Sequence, residues 1–82
     1  MEIMEILEKF TIVFRETFND DSIKITKETT ADDIDAWDSL SHVNLIIAIE
    51  LAFDIEFTQR EIMSFNNVGD MVACVEGKIR NP

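Results

Sequence analysis

The sequence predicts an all-α domain of four helices, three longer and one short, with a long first loop and no sheet. Three observations carry this. Apolar residues recur at helical spacing in two long segments, 1–18 and 40–53, and again over 71–79. Between them lie clusters of Asn, Asp, Ser and Thr, whose side chains bond nearby backbone groups and favour turns and caps. The one alternating stretch, Ser22-Ile23-Lys24-Ile25-Thr26, is too short to stand as a sheet. Eighty-two residues make a single domain, 1–82, large enough for one small core and too small for two.

The first helix is expected from Met1 to about Phe18. Ile3, Leu7, Phe10 and Phe14, flanked by Ile6, Val13 and Phe18, make its apolar face, with Glu2, Glu5, Lys9 and Glu16 mostly opposite. Asn19-Asp20-Asp21-Ser22 ends it. From Ile23 to Trp37 no helical period persists, so Ile23, Ile25 and Ile34 read as apolar pegs that hold a long polar loop down. Trp37 reads as a loop-to-core anchor.

The second helix follows Asp38, whose carboxylate can accept from the free N–H groups of the first turn and faces the positive end of the helix dipole. Ser39 is then a first-turn residue with its hydroxyl near solvent. Leu40, Val43 and Ile47 fall on one side of this helix, and Leu45, Ile46, Ile49 and Phe53 on another. His42 is expected on the exposed side. Ile55 and Phe57 alternate as if pinned inward, and Thr58-Gln59-Arg60-Glu61 fits a capping box opening a short helix with Ile62 and Phe65. Asn67 can cap a last helix with Asp70 in its third position and Met71, Val72, Val75 and Ile79 on its core face. That helix is expected to end near Gly77, with Lys78 and Arg80 close to its negative end. Cys74, flanked by Val72 and Val75, reads as a buried, inert thiol.

Composition narrows the function classes. A formal net charge of -10 disfavours nucleic acid and anionic membrane, which require clustered Lys and Arg, and favours partners with positive surface. No apolar span is long enough to cross a bilayer, and the N-terminus lacks the basic start and cleavage site of a secretory signal, so a cytoplasmic, monomeric protein is the expectation. One cysteine and one histidine give neither an internal disulfide nor a metal-ligand set. Asp33-Ile34-Asp35-Ala36-Trp37 begins like a calcium loop. Trp37, Asp38 and Asn44 then fall where an oxygen ligand, a glycine and a bidentate glutamate belong, so no metal site is expected.

Asp38-Ser39-Leu40, followed by a hydrophobic helix ending in Glu50 and by Phe53-Asp54-Ile55-Glu56, resembles the acyl carrier proteins and the carrier domains of polyketide and peptide synthases. The similarity extends from the first amphipathic segment to about Val75. It implies a four-helix acyl-carrier-like bundle in which a long first loop is normal. It also implies Ser39 as the attachment point of a 4'-phosphopantetheine arm derived from coenzyme A, with Asp38 as the motif acid. A phosphopantetheinyl transferase would attach the arm, acyl-loading and acyl-processing enzymes would use it, and the chain would be no enzyme itself. Without the resemblance, a serine beside a helix start reads as a cap. The physics of the site is compatible with attachment: a phosphodiester at a helix N-terminus meets unpaired N–H groups, and a lone serine without an adjacent base is a poor nucleophile.

Since Leu45, Ile46, Ile49 and Phe53 already supply a core face, Leu40, Val43 and Ile47 are assigned in part to partner docking. Glu50, with Asp54 and Glu56, would attract basic docking surfaces from the far end of the helix, and Asp32, Asp33, Asp35 and Asp38 from the near end. Leu45, Ile46 and Ile49 are the expected lining if the core opens to shelter an acyl chain. The sequence departs from fatty-acid carriers in having no carboxylate between Asp38 and Glu50, and Trp37 where they have a small residue. This points to a specialised, polyketide-like pathway. A peptidyl or aminoacyl carrier and an unmodified helical adaptor remain as alternatives.

Overall fold

Helix α1, Ile3–Phe18, turns Ile6, Phe10, Val13 and Phe14 inward, as the spacing of its apolar residues requires. These are the first elements of a computed structural model that describes residues 2–80; Met1, assigned above to the first helix, lies outside them. Helix α1 ends at Asn19, whose left-handed backbone (φ 52°) lets its N–H reach the carbonyls of Arg15 and Glu16. Helix α2, Ser39–Phe53, ends in the same way at Asp54 (φ 54°), with its N–H on the Glu50 carbonyl. Helix α3, Gln59–Ser64, is one and a half turns long, and α4, Val68–Arg80, closes the bundle. No strand occurs among the described residues, and none of the helices is long and apolar enough to cross a membrane.

The core lies between α1, α2 and α4. Phe10 packs against Phe53 with ring centroids 5.4 Å apart, and Leu45, Ile49, Val68, Met71 and Val75 complete the interior with essentially no exposure. Trp37 enters from the loop and meets Phe14 edge-on at 5.2 Å, the preferred geometry for two ring quadrupoles, so the expected loop anchor is present. Ile25 is buried beside it in the same cluster, with Ile23 and Ile34 half-buried at the margin.

Two features of the first loop were not foreseen. Ala31–Asp33 forms a single 3-10 turn, closed by Thr30 N–H donating to the Asp33 carboxylate at 2.9 Å. The loop is also stitched to the start of α4: Val68 N–H donates to the Thr29 carbonyl (2.9 Å) and Gly69 N–H to that of Lys27 (2.8 Å). Free donors of a helix's first turn are thus satisfied by loop carbonyls.

Helix α3 buries none of its residues fully and depends on its ends. The Glu50 carboxylate accepts from Phe57 N–H at 2.8 Å, and the Thr58–Glu61 capping box forms as expected. Glu61 also pairs with Lys78 of α4 at 2.9 Å. The backbone N–H of Thr58 and then the Lys78 ammonium hold the Glu61 carboxyl down to about 2. At α4, Asn67 caps Asp70 N–H at 2.9 Å, as expected. The helix runs through Gly77 to Arg80, contrary to the expected stop. A helical glycine costs only about 1 kcal/mol, while Ile79 packs against the core and Lys78 is held by Glu61, so the last turn persists.

Candidate functional site

The start of α2 brings Asp38, Ser39, Trp37 and His42 to one end of the bundle. Asp38 is the N-cap: its Oδ1 accepts from Leu40 N–H (3.1 Å) and Ser41 N–H (2.9 Å). Ser41 returns the bond, its Oγ accepting from Asp38 N–H at 2.8 Å. The backbone N–H of Ser41, followed by its hydroxyl, holds the Asp38 carboxyl below the usual carboxylate range. Both capping tasks therefore fall to Asp38 and Ser41, and Ser39, the first residue of the helix, is exposed outside that cap.

Beside Ser39 lies a cavity of about 330 Å³, open to solvent and mostly apolar inside. Trp37, His42, Phe65 and Met71 line its interior, and Asp38, Ser39, Asn66 and Asn67 bring polar groups to it. His42 departs from expectation. It is half-buried, stacked on Trp37 with centroids 6.0 Å apart at 20°, and its Nδ1 accepts the indole N–H at 3.0 Å. An indole nitrogen only donates, so Nδ1 is the unprotonated nitrogen of a neutral ring. Burial pushes the imidazole down from its ordinary value in the same sense. Helical spacing from Asp38 gave no sign of this pairing, because the partner sits in the irregular loop. Leu45, Ile46 and Ile49, the expected lining if the core opens to shelter an acyl chain, are buried in the closed core. They complete α2's packing against α1, and the cavity lies nearer the helix start.

The proposed docking residues divide in two. Leu40 (82% exposed), Val43 (57%) and Ile47 (49%) form a solvent-facing row on α2, extended by Leu51 (78%) beyond the residues expected to dock. Glu50 is only half exposed and its carboxylate holds the Phe57 N–H, so it also has a structural task. Below the row, Ile47, Leu51 and Ile55 floor a groove of about 550 Å³ rimmed by Glu50, Asp54 and Glu56. Cys74 is half-buried where full burial was expected. Its S–H donates to Glu61 Oε2 at 3.4 Å, and burial followed by that carboxylate raises the thiol to about 11.

A family model described as a phosphopantetheine attachment site matches residues 8–75. The chain belongs to the acyl carrier protein family. Its relatives include the acyl carrier protein of Streptococcus pyogenes, 43% identical over 75 residues that cover 92% of this chain and 97% of that protein. That of Helicobacter pylori is 35% identical over 89% of this chain and 94% of its own. The solution NMR structure of a holo acyl carrier protein from Geobacter metallireducens superposes with a TM-score of 0.87 at 48% identity, covering 94% of this chain and 88% of that one.

This carrier is accordingly not an enzyme, and its prosthetic group is 4'-phosphopantetheine. The residues present fit such a group: an exposed hydroxyl at the first position of a helix, and an apolar cavity adjoining it.

Proposed function

We infer that this carrier holds acyl intermediates as thioesters on a phosphopantetheine arm attached to Ser39, and presents them to the enzymes of a specialised, polyketide-like pathway. The observation that supports the attachment point is the division of roles at the start of α2, where Asp38 and Ser41 close the cap and Ser39 stays exposed. The arm supplies the terminal thiol that carries the acyl group. The protein supplies the rest. The positive end of the dipole at the α2 N-terminus favours the phosphodiester, and the Asp38–Ser41 box fixes the backbone on which Ser39 is offered to a phosphopantetheinyl transferase. His42 commits Nδ1 to Trp37, so the transferase must bring the base that activates Ser39. Tethering then raises the concentration of the intermediate at each docked enzyme.

The docking surface on this reading is the row Leu40, Val43, Ile47 and Leu51, with Glu50, Asp54 and Glu56 facing basic residues of the partner. Between Asp38 and Glu50 the helix offers Ser41, His42 and Asn44 and no carboxylate, so apolar contact outweighs charge along that face. This favours the specialised pathway, with the carrier working as a cytoplasmic monomer. Incubation with coenzyme A, magnesium and a broad-specificity transferase should add one phosphopantetheinyl mass to the wild type and none to Ser39→Ala. Loading of the alanine variant would overturn the attachment point, and no loading of either would favour an unmodified adaptor. Elongation of its malonyl form by a fatty-acid ketosynthase as fast as that of a fatty-acid carrier would refute the pathway assignment.

A further inference from the structure

The cavity beside Ser39 has one wall that attachment of an arm does not require. Trp37 leaves the loop and wedges against Phe14 (5.2 Å, edge-on) and Phe18 (6.5 Å). His42 lies nearly parallel to its other partner surface and receives its N–H at 3.0 Å. The two rings lie nearly parallel and share this hydrogen bond, so moving either one breaks it and leaves a shielded indole donor unpaired. The next residues inward on α2, Leu45 and Ile46, are sealed in the core and do not line the cavity. Its volume of about 330 Å³ is roughly twice the ~150 Å³ that holds one benzene.

We propose that Trp37 and His42 form the specificity-determining wall of this cavity and limit it to short acyl groups, with room for one aromatic ring. This rests on the arm being attached at Ser39. A short acyl group on an arm folded back over α2 fits against Trp37, Phe65 and Met71 with the pair intact. To pass this wall a long chain would have to part the two rings and unseat Trp37 from Phe14. It stays outside, and its thioester stays exposed to nucleophiles.

The test loads the full chain with butanoyl, benzoyl and dodecanoyl arms from the corresponding acyl coenzyme A, with mass confirming each product. Two quantities are then read: the rate of thioester cleavage by hydroxylamine, relative to the urea-unfolded chain, and the emission of Trp37, the single tryptophan. Butanoyl and benzoyl forms should be cleaved several-fold more slowly when folded and should shift the emission, while the dodecanoyl form is cleaved at the unprotected rate. His42→Ala should extend several-fold protection to the dodecanoyl form. His42→Asn, whose amide oxygen can accept the indole N–H, should restore the limit. Equal protection at every chain length in the wild type would overturn the proposal. So would an emission shift already complete in the arm without cargo, since the arm itself would then fill the cavity. The wild-type series decides the matter even if a variant misfolds. A chain that accepts no arm removes this proposal together with the attachment at Ser39, and the mass measurement distinguishes that failure from a failure of the wall alone.

Discussion

The two glycines of α4 provide a matched pair of perturbations. A Cβ at Gly69 would lie 2.9 Å from the Lys27 carbonyl oxygen and 3.2 Å from both Lys27 Cβ and Asn67 Oδ1, whereas one at Gly77 would meet nothing within 4 Å. Both substitutions by alanine improve helix propensity, by up to about 1 kcal/mol in a helix interior and less near an end. Only Gly69→Ala also forces the loop away from the helix. The two hydrogen bonds that tie Lys27 and Thr29 to α4 are then at risk, at about 0.5–1.5 kcal/mol each. Gly77→Ala should therefore stabilise the fold by about 0.5–1 kcal/mol, and Gly69→Ala should be less stable than it by about 1–3 kcal/mol. In a domain of this size each kcal/mol moves the melting temperature by about 4–8 °C, so thermal unfolding by circular dichroism resolves the gap. Equal stabilisation by the two alanines would refute the reasoning and show that the loop is not held to α4 through those carbonyls.

Other consequences are open to equally direct measurement. The Glu61 carboxyl is lowered from 4.5 to about 2, so its stabilising contribution is complete above pH 4.5 and is lost as pH falls through about 2; Glu61→Gln should flatten the dependence of melting temperature on pH over that window. Asp38 acts in the same sense below the ordinary carboxylate value, and Asp38→Asn should remove its share of the acid sensitivity. With its thiol raised from 9.0 to about 11, Cys74 should react with a disulfide reagent at pH 8 on the order of a hundredfold more slowly in the folded chain than in urea. Leu45→Ala, at a fully buried site, should cost about 2–5 kcal/mol. Leu40→Ala, on the same helix and mostly exposed, should stay within about 0.5 kcal/mol while weakening binding to a partner enzyme in a pull-down or titration.

What the sequence made legible was whatever a periodic pattern or a local side-chain bond determines. The burial of Phe10 and Phe14 follows from spacing, and the Thr58–Glu61 box and the Asn67 cap from short-range donors and acceptors. What escaped depends on tertiary partners. His42 occupies a position that helical phase alone would leave to solvent; the indole that half-buries it arrives from a loop without period. Helix α4 continues past a glycine because Lys78 finds Glu61 across the bundle, and Glu50 is drawn to the backbone of Phe57 after the chain has turned. At the site, Asp38 as cap and Ser39 as an exposed first-turn residue were readable from the triplet, while the cavity, built from three separate segments, was not.

The two faces of α2 lead to a last consequence. Leu45, Ile46, Ile49 and Phe53 stand inward, while Leu40, Val43, Ile47 and Leu51 stand outward and leave the core almost untouched. On the docking role proposed for the outward row, the address that a carrier displays can be rewritten independently of the scaffold that displays it. Substituting the outward four as a block is a route to insulated carrier–enzyme pairs: two such proteins could share one cell, one fold and one prosthetic group, yet keep their cargo apart.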